Sequence, residues 1–308
     1  MIEFHALELK DKPWMDARLA EAGYRGCEYN FTSLYVWRRA FRHEVAEVDG
    51  FLTGHLCGKL GCSYLYPAGR GDVAPVIRLL AQDAAERGEP LRLLGVTAEQ
   101  AAGLEASFPG AFEVTPDRDS FDYVYDIDRL ADLPGKRLHG KRNHISYFER
   151  SFSDWKFEPL TPAALPECLE MEREWYRRST KREGAEEAGD LNQEDLALRD
   201  AVDHFETLGL EGGLIRLYGE VVAFTIGDRL GTDGYDVHFE KAYNELRGCY
   251  PLINREFARW VRSCHPEVRW FNREEDMGVP GLRKAKESYY PDEMVEKHVA
   301  VLKKDAEI

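Results

Sequence analysis

Gly213-Leu-Ile-Arg-Leu-Tyr-Gly-Glu-Val-Val-Ala-Phe-Thr-Ile-Gly-Asp-Arg-Leu-Gly-Thr-Asp-Gly-Tyr-Asp-Val-His-Phe-Glu240 reads as three successive strands. Residues 213–218 and 221–228 flank Gly219-Glu220, which is hairpin spacing, and a turn over 231–234 leads into a third strand over 235–240. Downstream, a loop with Arg247 and Gly248 precedes an amphipathic helix carrying Leu252, Phe257, Trp260 and Val261. A strand over 268–272, a helix over 282–289 and a strand over 294–302 follow. Upstream lie a strand over 155–160, a helix over 164–178 and a charged segment over 181–190 that reads as a mobile loop, after which Asn192 caps a helix over 194–208.

The first half repeats part of this order. A hairpin over 44–48 and 51–57 turns at Asp49-Gly50 and is followed by a strand over 63–66 and a helix over 73–87. Strand, helix and strand then follow over 91–95, 97–106 and 122–127, and helices over 15–22 and 33–41 precede the hairpin. With Phe51 set against Val221 the offset is roughly 170 residues, which implies a duplicated supersecondary plan. The repeat is one of pattern without residue identity, so a fused sheet of unrelated origin stays open.

The chain has 308 residues, 44% hydrophobic and 12% aromatic, enough for one large core or two ordinary ones. No apolar run nears the roughly 20 residues of a membrane-spanning helix, and residues 1–10 lack the pattern of a signal peptide, so a cytoplasmic location is expected. Cysteines at 27, 57, 62, 168, 249 and 264 form no framework, and reduced thiols rather than disulfides are expected. A net charge of -15 argues against coating nucleic acid, while leaving room for a local basic patch.

Such a patch stands at 135–150, where Lys136, Arg137, Lys141, Arg142 and Arg150 share a helical stretch with His139 and His144. Guanidinium groups clasp phosphate bidentately, so this face suits an anion; a solvated interdomain helix is the alternative. Residues 271–291 concentrate Asn272, Arg273, Glu274, Glu275 and Asp276 at a strand end, then Arg283, Lys284 and Lys286 on the next helix. Strand ends of open sheets are ligand-binding places, and exposed ion pairs at a helix start are the plainer reading. His238 and Glu240 fall on one strand face by alternation and are candidates for positioning or deprotonating an amine, or a paired core histidine. His55, Cys57 and Cys62 are metal-capable but lack a fourth ligand, so no metal is expected, and Cys249 is either a reactive thiol or a small buried residue.

Three motifs resemble one family: Gly135-Lys-Arg-Leu-His-Gly-Lys-Arg-Asn-His144, His238-Phe-Glu-Lys-Ala242, and Asn272-Arg-Glu-Glu-Asp-Met-Gly278 with Gly281-Leu-Arg-Lys-Ala-Lys286. They are similar to the phosphatidylglycerol lysyltransferase C-terminal-domain family, in its soluble branch, which is related to the Fem aminoacyltransferases. The resemblance implies an α+β (mixed α/β) chain of tandem GNAT-like acyl-CoA N-acyltransferase fold, each lobe a mixed, mainly antiparallel sheet flanked by helices. The lobes are expected over 1–150, ending in the basic helix packed across the junction, and 151–308, with the donor site. The implied activity is transfer of an activated acyl group from acyl-CoA or aminoacyl-tRNA to an amine or hydroxyl acceptor, either a small molecule or a peptide. A non-catalytic protein binding an anionic metabolite or RNA end on the same scaffold is the alternative.

In such a fold the donor enters where two strands, here 235–240 and 268–272, splay apart. Donor phosphate is assigned to Arg247, Gly248 and Tyr250 with Lys136, Arg137, Lys141 and Arg142. Catalytic work falls to His238, Glu240, Glu274, Glu275 and Asp276, and substrate binding to Asn272, Arg273, Arg283, Lys284 and Lys286. The loop 245–251 departs from the family pattern, since bulky Tyr250 replaces a small residue where pyrophosphate meets backbone N–H groups.

Overall fold

The computed structural model describes residues 1–58, 61–180, 185–306 and 308. The chain runs through β1 (His5–Ala6), α1 (Lys12–Ala22), α2 (Phe31–Phe41), β2 (Glu44–Val48), β3 (Phe51–Gly58), β4 (Gly61–Gly69), α3 (Ala74–Arg87), β5 (Arg92–Val96), α4 (Ala98–Ser107) and β6 (Phe112–Pro116). There follow β7 (Asp122–Asp126), α5 (Ile127–Asp132), α6 (His139–Ser151), β8 (Trp155–Pro159), α7 (Leu165–Thr180), α8 (Ala185–Asp203), α9 (Phe205–Leu208), β9 (Glu211–Leu217), β10 (Glu220–Leu230) and β11 (Gly234–Ala242). Last come α10 (Cys249–Cys264), β12 (Trp270–Asn272), α11 (Pro280–Glu287), β13 (Glu293–Val295) and β14 (His298–Leu302). Of the segment read as a loop, residues 181–184 lie outside the described residues, 185–190 belong to α8, and Asn192 lies within that helix rather than capping it.

Two mixed seven-stranded sheets result, in the orders β1-β2-β3-β4-β5-β14-β6 and β13-β7-β12-β11-β10-β9-β8. In each, three antiparallel strands are followed by a helix and a parallel strand: β4 pairs with β5 across α3, and β11 with β12 across α10. The next strand comes from the far part of the chain. β14 pairs antiparallel with β5 and β6, whereas β7 pairs antiparallel with β12.

The compact units follow this exchange rather than a division at residue 150: one comprises 1–122, 275–283 and 294–308, the other 123–274 and 284–293. The expected single strand over 294–302 is therefore two, β13 and β14, in different sheets. The basic helix α6 lies within the second unit, where it packs against α10 so closely that a Cβ on Gly248 would sit 2.1 Å from the His144 carbonyl oxygen.

The first unit's core gathers Phe51, Tyr64, Tyr66, Ile77, Leu80 and Leu93. In the second, Tyr235 stacks on Phe271 at 5.4 Å and meets Phe257 of α10 edge-on at 5.7 Å. Each such fully buried ring contributes about 1.5–3 kcal/mol of transfer free energy. The expectation of reduced thiols fails at one place, because Cys57 and Cys62 form a disulfide. They are directly opposed in the β3–β4 register with Cα atoms 4.1 Å apart, a pairing set by the hairpin and not by their spacing in sequence.

Candidate functional site

Strands β11 and β12 pair only from Gly234↔Trp270 to Asp236↔Asn272, and β11 then runs on alone on that side to Ala242. β12 ends there, and the unpaired run of β11 begins. A bulge marks its start: Ile226 faces Phe239 and Gly227 faces Val237, which leaves His238 as the extra residue. Alternation breaks there. Tyr235 and Glu240, five apart, consequently both reach α10, through Phe257 and Asn254.

His238 is buried beneath carboxylates, with Nε2 3.0 Å from Asp228 and Nδ1 2.9 Å from Glu274. Burial opposes its charge, but Asp236 and Asp228 outweigh it and hold its pKa well above the usual value. With a carboxylate against each ring nitrogen, the His238 side chain is held at the bulge. Glu274 is held in place by it in the left-handed region, φ 55°, and donates its backbone N–H to Asn272 Oδ1 at 2.7 Å.

Beyond the bulge, Arg273 Nη2 donates to Glu240 at 2.9 Å, and Asn254 Nδ2 to the other Glu240 oxygen at 3.1 Å. Both members of the ion pair are largely buried, and the guanidinium lies over Tyr289 and Tyr125, 5.0 and 5.8 Å from their ring centres. Burial works against the Arg273 charge, and Glu240 more than compensates. Lys286 Nζ donates to the Arg273 carbonyl oxygen at 2.5 Å, anchoring the backbone that carries it. Lys141 of α6 sits over Tyr289 at 3.7 Å and donates to Ser288 Oγ at 2.6 Å. Burial, and then the like charge of Arg273, pull its amine down to about 8. Three buried polar atoms here have no hydrogen-bond partner among the described residues: Arg273 Nη1, Asn254 Oδ1, and Oγ1 of Thr225, which faces Glu240 in the register.

Other expected site residues are committed elsewhere. Asp276 and Arg283 belong to the first unit, where the fully buried Asp276 carboxylate accepts from Arg283 at 2.8 and 2.9 Å, from Arg118 at 3.1 Å and from the Gly278 N–H at 2.9 Å. Arg283 also reaches Asp119 at 2.7 Å, so this pair is a closed clasp and not a cleft. Glu275, in the same unit, lies 3.9 Å from Lys297, itself buried against Asp122 and Glu28 at 2.7 Å each. Lys284 is exposed.

Arg142 donates to the carbonyls of Leu133 and Gly135, closing the end of α5. Lys136 and Arg137 are exposed, Arg137 over Tyr290 at 5.5 Å. Arg247 is exposed and stacks over Tyr147 at 4.9 Å. At the start of α10 the Cys249 N–H bonds the Leu246 carbonyl at 2.9 Å, Pro251 has no N–H, and Gly248 abuts α6. Burial pushes the Tyr250 hydroxyl up and the Cys249 thiol up to about 12, so Cys249 is a core residue. Asn254, Thr225, Tyr125, Tyr289 and Ser288 were missed in sequence. Asn254 alone left a signal, as an amide on the apolar face of α10.

The profile of the family described as "Phosphatidylglycerol lysyltransferase, C-terminal" matches residues 20–301. None of the curated proteins matches. Among solved structures, a conserved Bacteroides thetaiotaomicron protein of unknown function is 37% identical over 98% of this chain and 100% of its own, with a TM-score of 0.91. L-PGS from Bacillus licheniformis shares 17% identity over 96% of this chain and 93% of its own at a TM-score of 0.64. FemX shares 11% over 97% of both chains at 0.59. These likenesses agree with the α+β, tandem GNAT-like class. Among the described residues no helix is long and apolar enough to cross a membrane.

Proposed function

Because this chain belongs to the phosphatidylglycerol lysyltransferase C-terminal family, we propose that it is an aminoacyltransferase whose reacting groups meet where β11 leaves β12. The observation carrying this reading is the set of unmatched buried polar atoms around Glu240. Leaving a buried donor or acceptor unpaired costs about 1–3 kcal/mol, and a ligand that completes it recovers that cost. An aminoacyl ester offers both kinds of partner: its carbonyl oxygen accepts from Arg273 Nη1, and its α-amino group donates to Asn254 Oδ1. A simple acetyl group offers only the first. With the Cys249 N–H bonded and Pro251 lacking one, fewer N–H groups face a pyrophosphate at the start of α10, which also favours aminoacyl-tRNA over acyl-CoA as donor.

The chemistry then follows from the residues present. An amine or hydroxyl acceptor attacks the ester carbonyl, Arg273 stabilises the oxyanion, and the bond to the ribose oxygen breaks. Neutral Lys141, about a tenth of the population at pH 7 for a pKa near 8, takes the nucleophile's proton and returns it to the leaving ribose oxygen. Exposed Arg247, Lys136 and Arg137 are left for donor phosphates.

The test is transfer of label to an amine acceptor from tRNA charged with a mixture of radiolabelled amino acids, run beside radiolabelled acetyl-CoA. Charged tRNA is expected to be the donor, and Arg273→Gln to lower the rate about 10²–10³-fold. Transfer from acetyl-CoA alone would overturn the donor assignment, and an unchanged rate in the variant would remove Arg273.

A further inference from the structure

The first unit holds a second constellation, at the β2–β3–β4 hairpins. Cys57 and Cys62 face each other across β3 and β4, and His55 lies two residues before Cys57 on the same strand, hence on the same face. His55 Nε2 is 4.0 Å from Cys57 Sγ, and ligand atoms of His55, Cys57 and Cys62 all lie within 4.8 Å of one another. A carboxylate lies beside this group: Glu89 Oε2 is 3.4 Å from His55 Nε2. Glu89 is rigidly carried: Gly88 ends α3 at φ 73°, and the Glu89 N–H bonds the Ala84 carbonyl at 2.9 Å.

The other ring nitrogen is oriented as well. Glu44 opposes His55 in the β2–β3 register and places Oε2 3.4 Å from Nδ1. The imidazole is only 5% exposed and sits against Tyr64 and Phe4, with ring centres at 5.0 and 5.8 Å. Two sulfurs and one imidazole nitrogen make three positions of a tetrahedral zinc-type set, with the fourth left to water. A carboxylate behind the histidine is the usual outer partner of such a site.

We propose that His55, Cys57 and Cys62 form a redox-gated site for a zinc-class divalent cation, with water in the fourth position and Glu89 beside the imidazole, closed as the disulfide and open as the dithiol. Two equivalents of a low-molecular-weight thiol break the S–S bond, are themselves oxidised to one disulfide, and leave two cysteine thiols. Binding of the cation then releases two protons as both sulfurs become thiolate ligands. Metal occupancy and the disulfide exclude each other, so this hairpin reports the thiol state of its surroundings.

Cobalt(II) titration of the full chain tests this, before and after reduction with a phosphine. The reduced protein is expected to take up one equivalent, with the visible bands of tetrahedral cobalt and a thiolate charge-transfer band, both bleached by Zn²⁺. The oxidised protein should show neither. Glu89→Gln is expected to weaken the affinity about tenfold or more. Cys57→Ser with Cys62→Ser should abolish the spectrum, while Cys264→Ser, at an exposed cysteine, should leave it intact. Absence of a tetrahedral spectrum in the reduced wild-type chain, equal binding by the oxidised chain, or a spectrum surviving the double substitution would each overturn the assignment. The reduced wild type carries the test even if a variant does not fold.

Discussion

Replacing Glu240 with Gln, Arg273 with Met, and then both together separates the ion pair's contribution to stability from its contribution to chemistry. The two side chains are 10% and 12% exposed and 2.9 Å apart. With charge centres about 4 Å apart and an effective dielectric of 20, their attraction is about 4 kcal/mol. Glu240→Gln leaves the guanidinium without its counter-charge but still over Tyr125 and Tyr289, whose faces together return about 1 kcal/mol. The expected loss is therefore about 3 kcal/mol, at the lower end of what breaking a buried pair costs. The double variant removes both charges and should recover part of this, giving a coupling energy of about 2 kcal/mol. Urea unfolding followed by tryptophan fluorescence reads the result, because Trp155, Trp175, Trp260 and Trp270 all belong to the second unit. Transfer activity should stay lost in the double variant even where stability returns. Single variants within about 0.5 kcal/mol of wild type, with an additive double, would refute the argument, since the pair would then be solvated.

Three further expectations concern neighbouring features. The Lys141 amine is lowered to about 8 from 10.5, so the unfolded chain binds the extra proton between these values and stability should rise with pH across that window. Lys141→Met should flatten the slope in pH-dependent melting, and the rise in transfer rate through about pH 8 should disappear with it. Asp276→Asn should destabilise the first unit by about 2 kcal/mol in calorimetry, less than a fully buried pair because Arg118 and Arg283 are each about a third exposed and can turn to water; donor binding should be unaffected. Gly248→Ala combines φ 96° with a Cβ 2.1 Å from the His144 oxygen, so a loss of about 3 kcal/mol is expected, and a melting temperature within error of wild type would show that α6 and α10 do not meet there.

Local pattern was enough for much of this molecule. Period-two alternation and glycine turns located β9, β10 and β11, and the apolar stripe located α10, because these signals come from each element having one buried face. The family motifs likewise stood in the sequence, and they named Arg273, Glu240 and Lys141 before any coordinates. What sequence could not decide is where long-range pairing takes each charge. Glu274, Glu275 and Asp276 are consecutive, yet one meets His238, the next lies near Lys297 and the third closes on Arg118 and Arg283. A one-residue bulge at His238 set its side chain among carboxylates and released Glu240 to Arg273, and the same alternation without the bulge would have paired them. The exchange of β7 and β14 between sheets was equally invisible, since a strand's periodicity records that one face is buried and not which partner buries it. Glu89 is the plainest instance: nothing in its neighbourhood along the chain marks it, and only the end of α3 packing beside β3 brings its carboxylate to His55.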